Sequence, residues 1–90
     1  MASHFRYLRA ASNKSYIQQG EIYFACQNYK QQTEEMKKRI DETCERAGGE
    51  YAGALKEYLT TEADWRYICE RYYLASATLA RIRLRFYELW

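Results

Sequence analysis

Apolar residues in the last third of the chain recur at alternating intervals of three and four. Residues at this spacing fall on one side of an α-helix, because each turn takes about 3.6 residues. The pattern predicts one long helix over about residues 62–89, capped by Thr61, with an apolar face that another helix must cover. The residues of this face are Trp65, Ile68, Tyr72, Ala75, Leu79, Ile82, Phe86 and Leu89.

The middle of the chain carries a second pattern of the same kind, which predicts a helix over about residues 16–47. Ser15 followed by Gln18 has the spacing of a capping box and marks the start of this helix. The glycine pair 48–49 after Arg46 marks its end, because glycine readily takes the left-handed conformation. The predicted stripe consists of Ile22, Cys26, Tyr29, Thr33, Met36, Ile40, Thr43 and Ala47.

The length of 90 residues indicates a single domain, and the absence of proline suits uninterrupted helices. The predicted fold class is all-α. It comprises two long antiparallel helices, a short connecting helix over residues 50–60, and a short N-terminal helix from Ser3 to about Ala11. A helix that passes straight through residues 12–15 is the alternative at the N-terminus. The result is a helical hairpin or bundle that dimerisation would complete.

The stretch of residues 72–80 (YYLASATLA) carries no charge on any side of the predicted helix. A surface helix normally has polar residues on its outer side, so we expect this segment to be covered on more than one side. A second copy of the chain could cover this segment, and the N-terminal helix is the alternative. We therefore expect a homodimer that associates through Tyr73, Leu74 and Ala77.

The sequence offers little for catalysis or for binding a metal. His4 is the only histidine, and the three cysteines include no CxxC pair, so a zinc site lacks ligands. The carboxylate pairs Glu34–Glu35 and Asp41–Glu42 lie in charge-rich runs, which is typical of a solvated helix surface. No glycine-rich phosphate loop occurs. We expect no cofactor, no metal and no enzymatic activity.

The expected compartment follows from the cysteines and from the hydropathy of the chain. Cys26 and Cys44 fall on or beside the apolar stripe, which indicates packing rather than disulfide bonding. Free cysteines favour a reducing, cytoplasmic location. Neither a signal peptide nor an apolar run long enough to span a membrane is evident.

The C-terminal run RIRLRFYELW alternates apolar and basic residues, as a strand would, but a helix continues the apolar face without a slip. On that helix Arg81 and Arg85 share a side, and Arg83 projects to the other flank. Lys14 is expected at the same end of an antiparallel hairpin. The predicted partner-binding residues of this basic aromatic end are Arg71, Arg81, Arg83, Arg85, Tyr87 and Trp90.

Ten tyrosines, two tryptophans and many arginines favour a protein-binding role, because these residue types are enriched at interfaces. We expect a non-enzymatic interaction module, namely a small adaptor, inhibitor or assembly subunit whose partner has an acidic surface. Small tyrosine-rich proteins are common among phage and mobile-element inhibitors of host machinery, including anti-CRISPR proteins; this analogy is compositional only.

The alternative is a small nucleic-acid-binding regulator. The net charge of +2 is too small to favour nucleic acid by itself. No helix-turn-helix is predicted around the glycine pair 48–49, since a short recognition helix with base-reading side chains is missing there.

Overall fold

The computed structural model describes residues 13–90, of which 82% are helical and none lies in a strand. The all-α class is confirmed. The predicted N-terminal helix over residues 3–11 lies outside the described residues. Short 3₁₀ turns at Tyr29–Gln31 and Gly49–Tyr51 lie between the α-helices. The described α-helices are α1 (Tyr16–Gln27), α2 (Glu34–Gly48), α3 (Ala52–Thr60), α4 (Trp65–Tyr72) and α5 (Ser76–Leu89).

The predicted helix over residues 16–47 is divided into α1 and α2. Ser15 and Gln18 form the expected capping box, with reciprocal bonds of 2.8 and 3.2 Å. Thr33, expected on the buried stripe, instead caps α2 by accepting a hydrogen bond from the backbone N–H of Met36. The prediction of one continuous helix is wrong here, because a threonine cap begins a new helix at residue 34.

The predicted last helix is also divided, into α4 and α5. Tyr73 ends α4 in the left-handed conformation, with φ 54° and ψ 45°. The cap of α4 is Asp64 rather than Thr61, since the Asp64 carboxylate accepts the backbone N–H of Tyr67 at 2.8 Å. Residues 81–87 lie within α5, so the helical interpretation of the C-terminal run is confirmed.

Helix α3 lies at the centre and packs against α1, α2, α4 and α5. Its side chains Leu55 and Leu59 are fully buried together with Leu79 and Phe86 of α5. Burial of such side chains contributes about 1.5–3 kcal/mol each, so this cluster contributes substantially to stability. The connecting helix predicted over residues 50–60 is therefore a central element of the core.

Polar side chains attach the connections to the core. The carboxamide of Gln27 donates hydrogen bonds to the carbonyls of Leu59 (2.7 Å) and Thr61 (2.9 Å) at the end of α3. The phenol of Tyr29 donates to Asp41 at 2.9 Å, and Lys56 forms an ion pair of 2.8 Å with the same carboxylate. These contacts hold the 3₁₀ turn after α1 and the chain after α3 in place.

Candidate nucleic-acid interface

Helices α4 and α5 have the order and lengths of a helix-turn-helix. An eight-residue helix is followed by a three-residue turn, residues 73–75, and by a helix of 14 residues. The inner sides of the two helices and their turn are held together by Ile68, Leu74 and Leu79, all of which are buried. Because α3 packs against both helices, the unit is a three-helix arrangement with α5 as its last helix.

The starts of α4 and α5 are joined directly. The indole Nε1 of Trp65 donates a hydrogen bond of 2.7 Å to the hydroxyl of Ser76. On its other side, the Trp65 ring is 5.0 Å from the guanidinium carbon of Arg83. Trp65 therefore contacts both the first turn and the middle of α5, and it holds the two helices in a fixed relation.

Arg83 is a buried cation, only 4% exposed. Its guanidinium donates a long hydrogen bond of 3.4 Å to the hydroxyl of Tyr58, and its Nε has no hydrogen-bond partner within residues 13–90. The aromatic rings of Tyr58 and Trp65 face the guanidinium and offset part of the cost of burying its charge. The prediction that Arg83 belongs to an exposed basic surface is therefore wrong.

Apart from Leu84, the outward side of α5 is formed by residues with short or basic side chains. Arg81 is exposed and has no hydrogen bond or ion pair with any residue from 13 to 90. Arg85 is also exposed, and its Nε donates to the backbone carbonyl of Arg46 at 3.4 Å. No acidic residue occurs between Ser76 and Tyr87. The side chains of this outward face, exposed or half-buried, belong to Ser76, Ala77, Ala80, Arg81, Leu84 and Arg85.

The remaining residues of the predicted basic aromatic end do not share this surface. Tyr87 is fully buried, and burial raises the pKa of its phenol above the ordinary range, so its assignment to an exposed end is wrong. Trp90 is half-buried beneath the guanidinium of Arg39, 4.0 Å from the centre of the indole. Lys14 lines the same shallow groove as Trp90, as the antiparallel arrangement predicts.

Arg71 lies on α4, apart from the arginines of α5. Its Nε forms an ion pair of 3.2 Å with Glu57 of α3, and its Nη1 donates a long hydrogen bond of 3.4 Å to the hydroxyl of Tyr67. The phenol of Tyr72 and the carboxylate of Glu57 raise the pKa of the Arg71 guanidinium. Arg71 therefore ties α4 to α3 and is already partnered by a carboxylate.

The residues predicted to form a self-association surface do not share one exposed surface. Leu74 is buried within the chain, at 7% exposure, so it cannot contact a second copy. Tyr73 is 92% exposed at the turn, and Ala77 is exposed in the first turn of α5. Within the uncharged stretch 72–80, Leu74 and Leu79 are buried in the core, while Tyr73, Ala75, Ser76 and Ala77 are exposed.

Two of the three thiols, those of Cys26 and Cys44, lie in environments that make them unreactive. Cys26 and Cys44 are buried, and burial raises the pKa of Cys44 to about 12. Burial also raises the pKa of Cys26, and the neighbouring Cys44 raises it further. Both cysteines therefore remain protonated at neutral pH and serve as packing residues, as predicted.

Three further observations bear on function. Within residues 13–90, no three His, Cys, Asp or Glu side chains are grouped so that they could hold a metal ion. None of the helices in this range has both the length and the apolar character needed to cross a lipid bilayer. No protein-family model, curated protein or solved structure matches the chain.

Proposed function

We propose that the chain binds double-stranded DNA through the helix-turn-helix of α4 and α5, with α5 as the recognition helix in the major groove. The observation that carries this proposal is the turn at residues 73–75. It separates a short helix from a longer one whose outward side carries Arg81 and Arg85. In helix-turn-helix proteins the second helix enters the major groove, and its N-terminal residues contact base edges.

The dimensions and charges of α5 suit that role. A helix with side chains is about 10–12 Å across, and the major groove of B-form DNA is about 12 Å wide. The first turns of α5 carry the short side chains Ser76, Ala77 and Ala80, which let the helix approach the bases closely. Glu88, in the last turn of α5, is its only carboxylate, so the earlier turns carry no acidic side chain that would repel phosphate.

Nucleic-acid binding is the alternative function predicted from the sequence. We propose that the recognition helix lies after Tyr73 instead of near the glycine pair. The small net charge of +2 remains compatible, because DNA binding depends on where the charges lie. With few arginines available, we expect weak binding to unselected sequences, with a dissociation constant of about 10⁻⁴–10⁻⁶ M at physiological salt. That the chain is not an enzyme stays a prediction.

A protein partner remains the second candidate, because α1 exposes large apolar side chains. Ile17 is 70% exposed and Phe24 is 54% exposed, and their spacing of seven positions places both on one side of the helix. Such a surface favours contact with another protein, including a second copy of the chain. It lies on a different helix from the DNA-binding surface, so the two roles are compatible.

The test is fluorescence anisotropy with a labelled random-sequence duplex of about 20 base pairs, two helical turns. We expect binding that weakens steeply between about 50 and 200 mM salt, since phosphate contacts release counterions. The double variant Arg81→Ala/Arg85→Ala should bind at least tenfold more weakly at low salt.

The matched control is Lys30→Ala/Lys38→Ala, which removes the same charge from exposed positions outside α4 and α5. It should bind nearly as the parent does. Absence of binding at low salt, or equal loss in the control, would show that α5 does not bind DNA.

A further inference from the structure

The functional groups on the outward side of α5 change along the length of the helix. Its first two turns present the hydroxyl of Ser76, the methyls of Ala77 and Ala80, and the guanidinium of Arg81. The opposite side, with Leu79 and Ile82, is buried against the rest of the chain. The core contacts therefore fix which side of the helix is presented to a ligand.

The three arginines of α5 are in different environments. Arg83 is buried against aromatic rings and cannot reach a ligand. The Nε of Arg85 is turned toward the carbonyl of Arg46 on α2, so its side chain leans to the flank of the helix. Arg81 alone of these three is both exposed and without a hydrogen-bond or ion-pair partner among residues 13–90. Its five N–H donors are available.

We infer that Arg81 reads a guanine in the major groove and that Ala77 and Ala80 contact thymine methyl groups, so the chain selects duplexes that combine these bases. This inference rests on the proposed function and names its target. Guanine presents two acceptors, O6 and N7, which match the paired donors of an arginine, and thymine presents a C5-methyl group that suits an alanine side chain.

The spacing of these residues sets the spacing of the bases. Ala77 and Arg81 are four residues apart, which is about 6 Å along the helix axis. Successive base pairs are about 3.4 Å apart, so the two residues span about two base-pair steps. The preferred half-site therefore carries a thymine and a guanine within about two steps of each other. Arg85, at the flank, contacts phosphate and carries no sequence preference.

The experiment begins with selection of bound duplexes from a library with a random core, using the full chain. We expect enrichment of a short motif that contains thymine and guanine at this spacing. The selected duplex is then rebuilt with deoxyuridine for the thymine, which removes only the C5-methyl, and separately with 7-deazaguanine, which removes the N7 acceptor. Each replacement should weaken binding of the parent protein at least twofold.

Variants assign the contacts. Arg81→Ala should reduce the preference for guanine over adenine by about five- to hundredfold, the range for a bidentate pair, and should lose most of the sensitivity to 7-deazaguanine. Arg81→Lys keeps the charge but loses the planar fork, so it should keep binding to unselected DNA and lose part of the preference. Arg85→Ala should weaken all duplexes alike and lower the salt slope by about one.

Two outcomes would contradict the inference in different ways. If selection yields no base preference while unselected duplexes still bind and lose affinity with salt, readout by Arg81 is overturned and DNA binding stands. The same holds if Arg81→Ala and Arg85→Ala act alike on every duplex. If no duplex binds at low salt, the proposed function fails together with the inference.

Discussion

The indole nitrogen of Trp65 and the hydroxyl of Ser76 are joined by a hydrogen bond of 2.7 Å. Trp65 is the first residue of α4, and Ser76 is the first residue of α5. The bond therefore fixes the distance between the starts of the two helices. Without it, only the three backbone residues of the turn would restrain this distance. In the proposed DNA complex this separation determines how deeply α5 enters the groove.

Trp65→Phe should lower both stability and DNA affinity. The substitution keeps an aromatic ring against Tyr58 and Arg83 but removes the N–H donor, so we expect a loss of about 1 kcal/mol in the free energy of unfolding. The measurements are denaturant unfolding and anisotropy with duplex DNA. Trp90→Phe is the control, since it makes the same change at the far end of α5. It should leave DNA affinity nearly intact, and equal weakening of DNA binding by both variants would contradict the role of the bond.

Leu79→Ala should be among the most damaging truncations in the core. Leu79 is fully buried where α5 meets the rest of the chain, and removal of a buried leucine costs about 2–5 kcal/mol. Leu89→Ala should cost much less, because Leu89 is half-buried at the last position of α5. Thermal unfolding followed by circular dichroism checks the difference. Similar melting temperatures for the two variants would mean that the core is not centred on Leu79.

Replacement of Tyr73 tests the left-handed turn. A residue with a side chain in this conformation costs about 1–2 kcal/mol, and Tyr73, 92% exposed, has little packing to lose. Tyr73→Gly and Tyr73→Asn should therefore match or exceed the parent in melting temperature. Tyr73→Val should melt lower, because a β-branched side chain fits this region poorly. A valine variant as stable as the glycine variant would contradict the observed conformation.

Alkaline pH should destabilise the fold through buried groups that ionise only after unfolding. Burial raises the pKa of Cys44 from 9.0 to about 12 and that of Tyr23 from 10.0 to about 12. Because the folded pKa is the higher one, this stabilisation is complete below pH 9 and is lost as the pH rises toward 12. Between its unfolded and folded pKa values, each such group lowers the free energy of unfolding by about 1 kcal/mol per pH unit.

Urea unfolding at several pH values measures this loss. Cys44→Ala should show a shallower decline above pH 9 than the parent, whatever its stability at neutral pH. An equal slope in the two proteins would mean that the thiol of Cys44 ionises as readily in the folded chain as in the unfolded one.

Arg83→Met should be neutral or stabilising. The buried guanidinium has an unsatisfied Nε and no carboxylate partner among the described residues, and methionine fills a similar volume without a charge. Arg83→Ala should instead destabilise by leaving a cavity. The methionine variant should also bind DNA as the parent does, unlike Arg81→Ala. Strong destabilisation by methionine would mean that the rings of Trp65 and Tyr58 hold the cation firmly.

Much of the fold could be predicted from the sequence, because helix spacing and capping are local. The capping box of Ser15 and Gln18 and the end of α2 at the glycine pair both form as predicted. The connecting helix predicted over residues 50–60 also forms, as α3 over Ala52–Thr60. These features depend on neighbouring residues, so a single sequence contains the information.

The breaks in the long helices were not evident from spacing alone. The seam residues Ile68 and Leu79 are buried on both sides of the turn, because α4 and α5 fold onto a common core and preserve the pattern. Ala75 is the exception: it lies on the predicted seam yet is exposed. The turn contains no glycine, asparagine or proline that would indicate it in the sequence. Tyr73 instead takes the left-handed conformation, which tyrosine rarely adopts.

The candidate site was predicted in part. Arg81 and Arg85 were expected on one exposed side of a helix, and both are there. Arg83 and Tyr87 are buried because the buried side of α5 is wider than the predicted seam and includes the flank next to Ile82 and Phe86. The small residues at the start of α5 belong to the uncharged stretch 72–80, which was expected to be covered by a second copy or by the N-terminal helix. Their place beside Arg81 becomes apparent only once the turn is known.

The two hydrogen bonds from Gln27 to the carbonyls of Leu59 and Thr61 have a consequence for dissection of the chain. A fragment that begins at α3 would contain the entire helix-turn-helix, yet it would lack the carboxamide that satisfies the end of α3. The buried side of α3 would also lose its cover from α1 and α2. We expect such a minimal fragment to be unstable on its own. The first half of the chain is therefore needed to keep the second half folded.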